Sequence, residues 1–211
     1  MGEDSGIVGF REQQGACWQL RLVGKVEMAR MGATWETSPV GSRKALTLMA
    51  LLGAHGDQRV TLTEIVDALW QGAPPKEPAA NVATLVSRLR ARFGLETIIG
   101  RRTGYRLGGT VQVDLHEAAV LVTKAERALR SAQPAHCLLV AEQAIKLLVP
   151  GQVLTEYPAS PWAMDARALQ DKLLRRARHV AVESALRTGA PRLARALADT
   201  TSAAHQALRA C

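Results

Sequence analysis

Basic side chains are concentrated in one short stretch of this 211-residue sequence. Six arginines and a single acid, Glu96, lie between Asn81 and Arg106, so the segment carries +5 of the formal net charge of +8. A guanidinium group donates hydrogen bonds in a planar fork that matches phosphate oxygens and the edge of guanine. The chemistry that this stretch can do is therefore the binding of an anionic polymer such as duplex DNA.

The first part of this stretch, residues 78–94, has the pattern of a helix. Pro78 suits the first turn, and Gly94 suits the C-terminal cap. Apolar side chains recur about every 3.6 residues and form one stripe: Val82, Leu85, Val86, Leu89 and Phe93. The opposite face has small and polar side chains: Ala80, Thr84, Ser87, Arg88 and Ala91.

This polar face predicts a division of labour on DNA. Arg88 could pair bidentately with guanine, Asn81 with adenine, and the Thr84 methyl group could contact thymine. Arg90 and Arg92 lie at the edges of the face, which favours phosphate contacts that set the register. Taken alone, the same pattern also fits an amphipathic surface helix whose arginines are solvated.

A short β-hairpin is predicted directly after this helix. Arg101 and Arg102 lie at its tip, and Arg106 faces outward. Gly100 and Gly104 are expected to leave the backbone bare for close approach to DNA. A helix beside a ribbon with arginines at its tip can contact a major groove and the neighbouring minor groove together.

The elements that precede this helix form a compact N-terminal unit. A small antiparallel sheet is predicted by alternating runs at 18–23, 26–28 and 34–37. A helix follows near 42–55. Thr61 and Glu64 have the spacing of a capping box, which predicts a short helix that ends near Trp70.

The second half of the chain has a helical pattern throughout. Helices are predicted near 114–129, 135–148 and 162–186, and Asp114 and Glu117 have the spacing of a second capping box. The first helix pair is close to the ~34-residue period of tetratricopeptide repeats. Because the helical pattern runs on to Cys211 without a cap, the chain is expected to be a truncated part of a longer protein.

Several functional classes are disfavoured by composition. The aromatic content of 4% is too low for the stacking platforms that bind single strands. The three cysteines are widely spaced, and no run of 18 apolar residues predicts a membrane span. The N-terminus is also unlike a secretory signal, so a cytoplasmic protein is expected. No nucleotide-binding loop or nucleophile cluster is present in the sequence, which predicts no enzyme activity, no catalytic residues, no metal ligands and no cofactor.

Residues 18–108 resemble the winged helix-turn-helix domain of OmpR-type regulators. The shared marks are the N-terminal sheet, the Thr63–Trp70 helix, the Val86–Arg90 core of the next helix and the Gly104–Leu107 ending. Residues 112–210 resemble a bacterial transcriptional activation domain, through the Val113-Asp-Leu entry, the alanine-rich helix pairs and the Trp162–Ala177 helix. This layout is that of the Streptomyces antibiotic regulatory protein (SARP) family.

The resemblance implies a mainly α fold with a small β component. A winged helix-turn-helix domain at 17–108, with sheet, three helices and a hairpin wing, precedes an all-α tetratricopeptide-like activation domain at 112–211. It also implies an activator of antibiotic biosynthesis genes that binds promoter direct repeats as a dimer or in tandem and recruits RNA polymerase holoenzyme. The polymerase would be contacted by the loop Gln71–Glu77.

By motif position, the resemblance assigns DNA contacts to eight residues: Asn81, Thr84, Ser87, Arg88, Arg90, Arg101, Arg102 and Arg106. Arg43 and Lys76, near helix starts, are candidates for contacts with the DNA backbone. The alternative is an adaptor in which the helical half binds a protein and the winged domain docks protein rather than DNA. The arginines focused around Arg88 and the hairpin tip favour the DNA-binding regulator, since an adaptor does not need them.

Overall fold

The computed structural model describes residues 18–33 and 40–198. Two strands, β1 (Trp18–Arg21) and β2 (Glu27–Arg30), are followed by the helices α1 (Arg43–His55), α2 (Leu62–Trp70) and α3 (Pro78–Phe93). The strands β3 (Ile98–Arg101), β4 (Gly104–Leu107) and β5 (Val111–Val113) come next. The helices α4 (Asp114–Arg130), α5 (Pro134–Leu148) and α6 (Pro161–Arg187) complete the named elements, and residues 191–198 are also helical.

The mainly α architecture, with a winged-helix N-terminal part and an all-α second part, is confirmed. The β1–β2 hairpin is antiparallel as predicted, whereas the strand expected at 34–37 lies outside the described residues. The sequence did not indicate that β5 joins this sheet beside β1, in parallel, in the order β2-β1-β5. The division into domains at 17–108 and 112–211 stays a prediction.

The helix boundaries follow local capping chemistry. The Ser42 hydroxyl accepts a hydrogen bond from the Ala45 amide at the start of α1. The capping box at the start of α2 is confirmed, because Thr61 accepts from the amide of Glu64 while the Glu64 carboxylate accepts from the amide of Thr61. These bonds satisfy amide groups that a helix start leaves without partners.

The main apolar core runs through both halves of the protein. It includes Leu20 of the sheet, Leu48 and Leu52 of α1, and Leu115 and Val122 of α4, all fully buried. A smaller cluster joins α4, α5 and the second half of α6 around Cys137 and Ala181. Because the main core is shared, the helical half is packed against the N-terminal sheet rather than tethered to it.

The capping box predicted at Asp114 and Glu117 is wrong. Val113 is the N-cap of α4 and has no side-chain cap bond, while Asp114 lies in the first turn. The Asp114 carboxylate accepts hydrogen bonds from the amides of Leu22 and Val23, at 2.9 Å each, and from its neighbour Leu115 at 2.7 Å. Burial raises the pKa of this carboxyl, and the three amide donors act in the opposite direction. Asp114 therefore joins the helical half to the end of β1.

A second connection is made by the loop between α5 and α6. Gln170 of α6, which is buried, accepts from the Val153 amide at 2.8 Å and donates to the carbonyls of Leu148 and Gly151. The loop then pairs with the turn after β1 through the Val23–Val153 bridge. Gln170 thus holds in place the loop that contacts the N-terminal sheet.

We predict that Asp114→Ala destabilises the protein by about 1–3 kcal/mol, because three amide groups lose their acceptor inside a partly buried junction. The free energy of unfolding in urea measures this cost. Asp165→Ala, at an exposed position on α6, is the matched control and should change the stability by less than about 0.5 kcal/mol. Equal stabilities for the two variants would contradict the role given to Asp114.

Candidate nucleic-acid interface

The orientation of α3 is set by its buried side. Val82, Val86, Leu89 and Phe93 are buried, as the helical spacing of the apolar stripe predicted, and Leu85 is half-buried. The rings of Phe93 and Trp18 meet edge to face at a centroid distance of 4.9 Å, and the Trp18 indole N–H donates to the Phe93 carbonyl at 2.8 Å. Packing on one side leaves the other side of α3 at the protein surface.

The outward face of α3 has small, polar and basic side chains. Its exposed members are Ala80, Asn81, Ala83, Thr84, Ser87, Arg88, Ala91 and Arg92. Two of them bond within the helix: the Asn81 side-chain amide donates to the Glu77 carbonyl, and the Thr84 hydroxyl donates to the Ala80 carbonyl, both at 2.9 Å. Asn81 therefore keeps its side-chain oxygen and one N–H, and Thr84 its methyl group, for a partner.

The predicted hairpin is formed by β3 and β4, which pair antiparallel around the turn Arg102–Thr103. Arg101 and Arg102 are exposed at this end of the hairpin. Arg106 is half-buried and donates to the Leu107 carbonyl at 3.2 Å. The two exposed arginines thus extend the basic surface of α3 onto a second element.

The structure corrects the role that the sequence suggested for the two hairpin glycines. A Cβ atom at Gly100 would collide with the Gly104 carbonyl, and one at Gly104 would collide with the Val60 carbonyl. Both residues also have positive φ angles, of 124° and 142°. These glycines are required for close packing within the protein, so their lack of side chains is explained without DNA.

The strand-like residue Val60 attaches the hairpin to the helical scaffold. Its amide and carbonyl groups exchange hydrogen bonds with those of Tyr105, at 2.8 and 2.9 Å. The preceding residue, Arg59, is exposed, and its guanidinium donates to the Thr103 hydroxyl in the hairpin turn at 3.0 Å. Arg59 was missed by sequence reasoning, because only the pairing of Val60 with β4 brings it to the hairpin.

A groove lies between α3 and the hairpin. Small side chains of α3, Ala83, Ser87 and Ala91, form one wall, and Arg101 and Arg102 stand at the other. Arg90 also lines this groove, but its guanidinium is directed to the hairpin backbone: it donates to the carbonyls of Ile98 and Gly100 at 2.9 and 3.0 Å. Arg90 was predicted to contact phosphates from the edge of α3, but its guanidinium is already hydrogen-bonded to the protein.

Arg88 and Arg92 line a second depression, against the start of α1. Gly41, Ser42 and Ala45 form its other side. The amides in the first turn of a helix carry a partial positive charge, so this surface has the polarity that suits a phosphate group. Arg92, which was predicted to contact phosphates, therefore lies where a DNA backbone could meet both α1 and α3.

The remaining two candidates lie outside the α3–hairpin surface. Arg43 is the exposed first residue of α1. Burial raises the pKa of Tyr157 in the helical half, and the positive charge of Arg43 acts in the opposite direction. Lys76 is exposed in the loop between α2 and α3, where Gln71 and Gly72 have positive φ angles. The structure thus brings together the candidates on α3 and the hairpin, while Arg43 and Lys76 flank them on other elements.

The described residues offer little for other kinds of site. They contain no group of histidine, cysteine, aspartate or glutamate side chains placed to hold a metal ion. Within the same residues, no helix is both long and apolar enough to cross a membrane.

The chain is similar in sequence to known regulatory proteins. No family model matches the sequence. Over 158 residues, or 74% of this chain, the sequence is 30% identical to regulatory protein AfsR of Streptomyces coelicolor. Over 89 residues, or 42% of the chain, it is 32% identical to regulatory protein AfsR of Streptomyces griseus. The chain belongs to the SARP family.

This SARP chain spans only 15% and 9% of the length of those two relatives. Its fold matches that of Mycobacterium tuberculosis EmbR, solved in complex with a low-affinity phosphopeptide, with a TM-score of 0.76 over 90% of this chain and 51% of that chain. The two sequences are 20% identical, so this match supports the fold alone. The two relatives matched by sequence are both named as regulatory proteins.

Proposed function

We propose that this SARP chain binds duplex DNA at promoter direct repeats through α3 and the β3–β4 hairpin. The observation that carries the proposal is the exposed face of α3, with Thr84, Ser87 and Arg88, beside a hairpin with Arg101 and Arg102 at its tip. A helix about 10–12 Å across fits a major groove about 12 Å wide. The hairpin then lies over the adjacent backbone or minor groove.

The side-chain bonds on α3 refine how bases are read. The planar guanidinium of Arg88 donates to the O6 and N7 atoms of guanine. The Thr84 hydroxyl donates to the Ala80 carbonyl, so its methyl group is the part that meets a thymine methyl. The Asn81 amide donates to the Glu77 carbonyl, which leaves its oxygen to accept from an amino group of adenine or cytosine. Since the amide nitrogen has two N–H groups, one N–H of Asn81 is still available, and the bidentate contact with adenine expected from sequence stays a prediction.

Phosphate contacts come from arginines on three segments of the chain. Arg92 lies at the end of α3, Arg101 and Arg102 at the hairpin tip, and Arg59 beside the hairpin turn. These contacts position the protein on the duplex without reading its sequence. Arg59 replaces Arg90 in the set that sequence reasoning assigned to phosphates.

The base-reading and phosphate-binding roles predict different mutant behaviour. Selection from random duplexes first defines the preferred site, and the spacing of its repeats reports whether two copies bind as a dimer or in tandem. Arg88→Ala should then lose about 1–3 kcal/mol on the selected site and little on scrambled DNA, because it removes a bidentate base contact. Arg102→Ala should weaken both duplexes alike. Equilibrium binding to the two duplexes measures both effects.

Two results would contradict this assignment. Equal losses on selected and scrambled DNA for Arg88→Ala would show that Arg88 does not read a base. Failure of the wild-type protein to bind any duplex would favour the adaptor alternative, in which the winged domain docks protein.

We further propose that the bound protein activates transcription of secondary-metabolite genes, such as those for antibiotic biosynthesis, by recruiting RNA polymerase through the loop 71–77. The loop contains Pro74 and Pro75, which restrict its backbone, and nearly all of its residues are exposed. Lys76 and Glu77 provide charged groups beside the start of α3. A stiff, exposed loop next to the DNA-binding helix is suitably placed for a second protein.

Replacement of Lys76 and Glu77 by alanine should lower transcription in a purified system while DNA affinity stays unchanged, because the loop touches polymerase rather than DNA. Run-off transcription and binding assays on the same promoter separate the two effects. Glu142→Ala with Lys146→Ala on α5 makes the same charge change away from the loop and should leave transcription unaltered. Unaltered transcription with both double variants would argue against this surface.

A further inference from the structure

Arg90 differs from the other arginines of the segment in what its guanidinium contacts. It is half-buried, whereas Arg88, Arg92, Arg101 and Arg102 are exposed. Its Nε and Nη2 atoms donate to the carbonyls of two residues of β3, Ile98 and Gly100, at 2.9 and 3.0 Å. Both bonds run from α3 to the hairpin, that is, between the two elements of the proposed DNA interface.

The two carbonyls belong to one edge of the hairpin. Carbonyls two residues apart on a strand point to the same side. Within the described residues β3 pairs with β4 alone, so Arg90 takes the place of a neighbouring strand for these two acceptors. A planar guanidinium with several donors in fixed positions can bridge them, while an ammonium group has no such fork.

The opposite side of the hairpin is held independently. Tyr105 of β4 exchanges two backbone hydrogen bonds with Val60, and Arg59 donates to the Thr103 hydroxyl in the turn. Arg90 supplies the link from the other direction, to α3. The distance and angle between the hairpin tip and the base-reading face therefore depend on this side chain.

We propose that Arg90 is a positioning residue, which fixes the hairpin against α3 so that the tip arginines and Arg88 can engage DNA at the same time. This inference rests on the proposed DNA binding. The sequence predicted that Arg90 contacts a phosphate, but in the structure its donors are directed to the protein backbone. Arg90 acts on affinity through Arg101 and Arg102 rather than by touching the duplex.

The first test compares lysine and alanine at Arg90 and at Arg102. A phosphate contact tolerates lysine, since lysine keeps the charge, whereas a two-carbonyl bridge does not. Arg90→Lys and Arg90→Ala should both lower DNA affinity about tenfold. Arg102→Lys should bind nearly as well as the wild type, and Arg102→Ala should bind more weakly. Near-wild-type binding by Arg90→Lys, with a loss for Arg90→Ala, would overturn the proposal in favour of a phosphate contact.

A double-mutant cycle between Arg90 and Arg102 tests whether one acts through the other. If Arg90 positions the hairpin, Arg102→Ala should cost little more once Arg90 is already alanine, because the tip is out of place. Additive losses would mean that the two arginines act independently, which would overturn the proposal. Circular dichroism and thermal unfolding of each variant confirm that it is folded before binding is compared.

Amide hydrogen exchange of the DNA-free protein provides a readout that does not depend on DNA. Arg90→Lys and Arg90→Ala should speed exchange in β3 and β4, while Arg102→Ala should not. Unchanged exchange in both Arg90 variants would overturn the bridge itself. If the wild type fails to bind DNA while exchange is faster in the Arg90 variants, the proposed function is rejected. The bridge itself would then stand, but its role in DNA binding would be overturned.

Discussion

The burial of one side of α3 is the constraint on which the rest of this structure depends. Val82, Val86, Leu89 and Phe93 can leave water only by packing on the core of the N-terminal unit. Once they do, the opposite side, with Thr84 and Arg88, must face solvent. The contact of Phe93 with Trp18 links this helix to β1 as well, so the exposed face has a defined orientation in the molecule.

The same core carries that orientation into the helical half. Asp114 binds the amides that end β1, and β5 lies parallel to β1 in the same sheet. Gln170 fixes the loop that pairs with the turn at Val23. The helical half is therefore held in a fixed position relative to α3.

Features determined by residues near in sequence could be predicted well. The apolar stripe of α3, the caps at Thr61 and Gly94 and the hairpin turn each follow from spacing and residue type. These patterns are local, and the shared core does not override them. The mainly α fold and the SARP relationship could be inferred from the same stretches.

Features that depend on distant partners could not be predicted. Asp114 has the spacing of a helix cap, yet its acceptors serve Leu22, which is 92 residues away. Arg59 reaches Thr103 across 44 residues. Arg90 falls at the edge of the polar face of α3, but sequence spacing does not reveal that two carbonyls of β3 lie within its reach. In each case a polar side chain bonds to a group that only the tertiary fold brings near, and for Asp114 and Arg90 that group belongs to the backbone.

We propose that the basic surface formed by α3, the hairpin and Arg59 binds the backbone of duplex DNA. The most direct measurement is the equilibrium affinity for duplex DNA as a function of salt concentration. With about four arginines at phosphates, we predict that log affinity falls against log salt with a slope of about −3.5. A slope near zero, or no binding at low salt, would contradict it.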